Sequence, residues 1–207
     1  MFIGELEMLN STRSRTLAMV AGLSQEQMDY SPAPGKWSIG ELLDHLLLSE
    51  RITRNDIAKL IELARAGRKP NLNRSTDDFD VAPFFIPKPL LPFAQAPFSF
   101  VSFFFPNRMR ELLLRYVIIP ARAASAATPL KRRPADELRQ ELVSSLRETE
   151  ALFEANPDLD YGRMIHRHPL LGVQNVPQLL RTLALHEQRH QDQIAEVLKR
   201  ALLPRAA

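Results

Sequence analysis

His186 and His190 stand four residues apart, the spacing that sets two imidazoles one above the other on a single helix face. At 100° per residue His190 falls about 40° from His186, and Leu179, Leu183, Ile194 and Val197 share that arc. Both rings therefore occupy a buried stripe. One histidine there is an ordinary core residue with a hydrogen-bond partner; two must each find partners away from water. A third, His45, lies at the margin of another apolar arc, formed by Ile39, Leu42, Leu46, Ile57 and Leu60. Three neutral imidazoles from two helices make a set of nitrogen ligands for a divalent cation and leave positions open to water or substrate. Glu50 falls close to the same arc as His45. A buried carboxylate there either accepts from a histidine N–H or pairs with an arginine.

The run His186-Glu187-Gln188-Arg189-His190 also satisfies H-E-x-x-H, the zinc-protease signature. The rest of the chain argues against that chemistry. A third ligand must follow, and in the extended motif the glycine and ligand positions are held by Gln193 and Glu196.

Composition bounds the remaining possibilities. The 207 residues carry 27 Lys+Arg against 24 Asp+Glu, interspersed along the chain, so no basic stripe of a nucleic-acid reader stands out. Without cysteine there is neither disulfide, thiol nucleophile nor thiolate metal site, and a bound metal takes only nitrogen and oxygen ligands from the protein. The acidic start MFIGELEMLN lacks the pattern of a signal peptide. No apolar run reaches the roughly 18 residues of a membrane span. The expectation is a soluble cytoplasmic protein without stable membrane insertion.

The elements that must position the histidines are helical. Residues 2–22 read as an amphipathic helix. Ser31-Pro-Ala-Pro-Gly-Lys-Trp37 breaks it, and Ser38 with Glu41 has capping-box spacing for a second helix to about Ala66, stopped by Gly67. Pro134 and Asp136-Glu137 open a third helix to about Ala155, and Asn175-Val-Pro177 opens a fourth to about Leu203. Between the second and third, residues 68–133 are rich in Pro and Phe, and a regular helix cannot run through Pro83, Pro87, Pro89, Pro92 and Pro97. That insertion reads as an extended apolar segment followed by a short helix near 107–119. It is a strap over the bundle or a second subunit, a lid or substrate channel, or a membrane-surface contact. No period-2 strands stand out. The expected fold is all-α: one domain over 1–207, an antiparallel four-helix bundle with a large insertion between helices 2 and 3.

Gly35-Lys-Trp-Ser-Ile-Gly-Glu-Leu-Leu-Asp-His45, His168-Pro-Leu-Leu-Gly172 and His186-Glu-Gln-Arg-His-Gln-Asp-Gln-Ile194, in this order, resemble the motifs of the DinB/YfiT-like superfamily. The resemblance covers roughly residues 1–67 and 134–203; the Phe/Pro insertion departs from the compact members. It implies an antiparallel four-helix bundle, often a homodimer, with one divalent metal (Zn, Ni or Fe) on a triad that carries over to His45, His186 and His190. Members of known activity include S-transferases using low-molecular-weight thiols and a thiol-dependent isomerase.

Three neutral ligands leave a divalent charge uncompensated and favour an anionic fourth ligand. A free thiol, with a pKa of about 8.5, is deprotonated by metal coordination. The expected reaction is thiol transfer to a small electrophilic substrate; metal-activated hydrolysis and non-catalytic binding are the alternatives. Glu187 either orients a bound water or thiol or is a solvated flank residue. Arg189 pairs with Glu50 or a substrate carboxylate, or lies on the surface. His168 lines the pocket or braces its loop. Trp37 is a large apolar anchor at the bundle end.

Overall fold

A computed structural model describes residues 3–74, 127–168 and 172–201. The Phe-rich stretch and the expected short helix near 107–119 lie outside the described residues.

Five α-helices are present among the described residues: α1 Ile3–Val20, α2 Gln25–Asp29, α3 Ile39–Arg65, α4 Ala135–Glu154 and α5 Val176–Ala201. Side-chain caps set where several begin. The Ser38 hydroxyl accepts from the Glu41 N–H, and the Glu41 carboxylate accepts from the Ser38 N–H, so α3 starts on a reciprocal box. Asn175 and Gln178 make the same exchange at the start of α5. Gly67, at φ +67°, takes the left-handed conformation that ends α3. The short α2, which periodicity did not reveal, has its own box from Ser24 and Gln27.

The all-helical expectation needs one correction. Three short strands form a sheet in the order β1-β2-β3: β1 Asn71–Asn73, β2 Ile165–His168 and β3 Gly172–Asn175. β1 runs parallel to β2, and β3 antiparallel to it, with His166 opposite Gln174. Strands of three or four residues are too short for alternation to register.

The long helices pack against one another, α1 on α5, α3 on α4 and α5, and α1 on α4. Two apolar clusters result. Leu9, Ile57, Leu60, Phe153, Met164, Leu180 and Leu183 belong to one, and Val20, Ile39, Leu43, Leu138, Leu142, Ile194 and Val197 to the other. Along every long helix, buried polar residues interrupt the passage from one cluster to the other: Thr12, Arg13 and Thr16 on α1, Glu50 on α3, Ser145 and Thr149 on α4, Glu187 and Gln191 on α5. His45 and His190 are buried beside the second cluster. Among the described residues no helix is long and apolar enough to cross a membrane.

Candidate metal centre

The box at Ser38 fixes the start of α3, and His45 follows two turns in; His186 and His190 lie one turn apart on α5. Between them the helices bring three nitrogens together. His186 Nε2 lies 3.3 Å from His45 Nε2 and 3.0 Å from His190 Nε2. Among the described residues these three form the group able to hold a metal ion, one ligand atom from each lying within 4.8 Å of the others.

The outward-facing nitrogens decide what the inward-facing ones can do. His45 Nδ1–H donates to the Ala127 carbonyl at 2.8 Å, and a carbonyl can only accept. His190 Nδ1–H donates to Gln193 Oε1 at 2.7 Å. In the neutral rings both Nε2 atoms are then unprotonated, and both direct a lone pair at His186. A single proton on His186 Nε2 can answer one of them. A cation in the shared space answers all three. Nitrogens at about 2.0–2.1 Å from a tetrahedral zinc sit about 3.3 Å apart, close to the spacings found here. The donor set therefore fits a divalent metal.

Electrostatics keep the rings in the ligand-competent neutral form. Burial pushes His45 below the usual histidine range, against the opposing pull of the Ala127 carbonyl and Asp44. Burial, then the charge of His45, lowers His190 to about 3 despite the Gln193 hydrogen bond. His186 falls well below the usual range through burial, then His190, His45 and Arg189.

Trp37 stands against the site, its ring centroid 4.9 Å from that of His45 and 6.4 Å from that of His190. A cleft of about 390 Å³ adjoins it, lined also by Lys36, Leu42, Gln193, Glu196 and Arg200. Arg189 contributes positive potential at both helix α5 histidines.

The two carboxylates go elsewhere. Glu187 takes Arg13 Nε and Nη2 at 2.9 and 3.0 Å, and Glu50 takes Arg13 Nη2 at 2.9 Å. Arg13 Nη1 reaches the Leu142 carbonyl at 2.6 Å, so one guanidinium ties α1 to the three other long helices. Burial opposes its charge, but the two carboxylates overcome that and raise its pKa. Thr16 also donates to Glu187, at 2.6 Å, and Thr149 to Glu50, at 2.8 Å. His168 lies on β2 with its ring centroid 6.2 Å from that of His166, which hydrogen-bonds Asp56 at 3.0 Å. Asp56 is eleven residues beyond His45 on α3, about 16 Å along the helix.

Sequence reasoning missed Arg13 and the groups that orient the histidine rings. Gln193 sits three residues past His190, a spacing that could have drawn notice. Nothing local marks the Ala127 carbonyl. The model that describes the DinB superfamily matches residues 8–194 of this chain. No curated protein and no solved structure matches it.

Proposed function

The chain belongs to the DinB superfamily, and from that membership and the converging histidine nitrogens we propose a metal-dependent enzyme that transfers a small-molecule thiol to an electrophilic substrate. His45, His186 and His190 are the proposed ligands. A divalent metal there supplies a Lewis-acid centre that lowers the pKa of a thiol or water to the physiological range. The observation that carries the reading is the pair of Nδ1 hydrogen bonds that turn the Nε2 lone pairs of His45 and His190 inward.

The protein's own groups supply the rest. Neutral imidazoles add no negative charge, so the site favours an anionic sulfur, and a chain without cysteine must take that sulfur from a co-substrate. The sulfur bonds to the electrophilic carbon, the leaving group departs with its electron pair, and the thiol proton passes to solvent. Arg189 adds positive potential for an anionic reactant. Trp37 and the cleft beside it receive the apolar part of a substrate. Glu50 and Glu187 serve by fixing α3 and α5 through Arg13, without touching the substrate; His168 belongs to the sheet. The four long helices are read as the antiparallel bundle that the family implies, working as a cytoplasmic homodimer, for which light scattering and cell fractionation are the tests.

Elemental analysis of purified protein is expected to give about one transition metal per chain, lost in His186→Ala and His190→Ala. Unchanged metal in both variants overturns the triad. Assays with an electrophilic dye are expected to show turnover only when a small thiol is added. Turnover without thiol would move the reaction to hydrolysis, and metal binding without turnover would leave a binding protein.

A further inference from the structure

We infer that Asp44 is a positioning residue for His45, acting through the loop that presents the Ala127 carbonyl. The inference rests on the metal reading of the histidines for its consequence, though not for its geometry. His45 Nδ1–H donates to Ala127 O at 2.8 Å, and that bond fixes which ring nitrogen faces His186. The acceptor is backbone, so its position depends on where residues 127–133 are held.

Ala127 and Pro129 are buried, but residues 128 and 130–132 are exposed to solvent. Leu130 is 66% exposed, and Arg132 stands at φ 58°, in the left-handed region that a residue with a side chain disfavours. Asp44 supplies the grip. Its Oδ2 accepts from the Leu130 N–H at 2.7 Å, and its Oδ1 accepts from Arg133 Nη1 at 2.8 Å. Arg133 continues to α4, pairing with Glu137 and, at 2.6 Å, with Glu141. Asp44 is itself 2% exposed, and it is the residue next to His45. One turn of α3 therefore grips the loop with one side chain and receives its carbonyl with the next. Loss of such an outer partner of a histidine ligand costs about 10–100-fold in metal affinity.

Nitrogen-15 correlation spectra of metal-free protein at pH 8 read the His45 tautomer directly, and competition with a chelating dye reads zinc affinity. The wild-type ring is expected to be wholly Nδ1–H. Asp44→Ala is expected to populate the Nε2–H form and weaken zinc binding about 10–100-fold, while Asp44→Asn, which keeps an acceptor for Leu130, restores the tautomer. Leu130→Pro removes the same hydrogen bond from the exposed loop side, so it carries the test if Asp44→Ala does not fold. A purely structural role would lower stability and leave the tautomer and affinity unchanged; that result in Asp44→Ala or Leu130→Pro overturns the inference. A tautomer change in a protein that binds no zinc would sustain the grip on His45 and overturn the metal reading alone.

Discussion

Arg13 is the residue on which the interior most depends. It is 2% exposed and meets two carboxylates and a carbonyl from three other helices. Removing a buried charge from such a set leaves its partners without compensation, which costs about 3–5 kcal/mol, whereas exchanging the whole set for apolar residues is often neutral. Arg13→Met is therefore expected to lower urea-unfolding stability by about 3–5 kcal/mol, and Arg13→Met with Glu50→Leu and Glu187→Leu to recover much of that. A loss under 1 kcal/mol in the single variant would refute the assignment. The sequence concealed this role. Arg13 falls between Leu9 and Leu17 on the inner stripe of α1, but an arginine there reads as one whose head reaches out to water. Its partners lie 37 and 174 positions away, beyond any local pattern. The histidines were legible because an imidazole cannot snorkel: two on a buried arc must meet something inside.

At the scale of elements, the long helices announced themselves through caps and period. Ser38 with Glu41 and Asn175 with Pro177 gave their starts to within a residue, because a cap is a local exchange of hydrogen bonds. The sheet did not, since its three- and four-residue strands owe their existence to pairing between β1 and the distant β2–β3 hairpin. The hairpin nevertheless has a testable property. Burial lowers His168 to about 4, against about 6.5 in an unfolded chain. Below pH 6.5 the unfolded state binds the proton that the folded state refuses, so this contribution to stability is complete above about 6.5 and is lost as pH falls toward 4. Urea midpoints of His168→Gln are expected to fall less steeply than wild type across that window. Parallel curves would show that the strand leaves His168 open to water.

For the molecule as a whole, the three candidate ligands sit on two helices, with His45 and His186 separated by 141 positions. Only the folded chain gathers them, and with no cysteine the unfolded chain offers a transition metal little competition. An ion bound there would act as a thermodynamic tie between α3 and α5. At a free concentration 1,000 times its dissociation constant, a ligand of the native state adds about 4 kcal/mol, or about 8–16 °C in melting temperature for a domain of 150–250 residues. Zinc or nickel added to chelator-stripped protein is expected to raise the melting temperature by that order, in proportion to the logarithm of free metal, and a chelator to reverse it. His190→Ala removes one of the three candidate ligands and is expected to abolish most of the shift while the metal-free protein stays folded. Thr16→Val, which removes a donor to Glu187, is expected to lower the starting temperature yet leave the shift intact. Equal shifts in wild type and His190→Ala would mean that the metal binds elsewhere, and that the polar layer between the two apolar clusters stands without a cation at its edge.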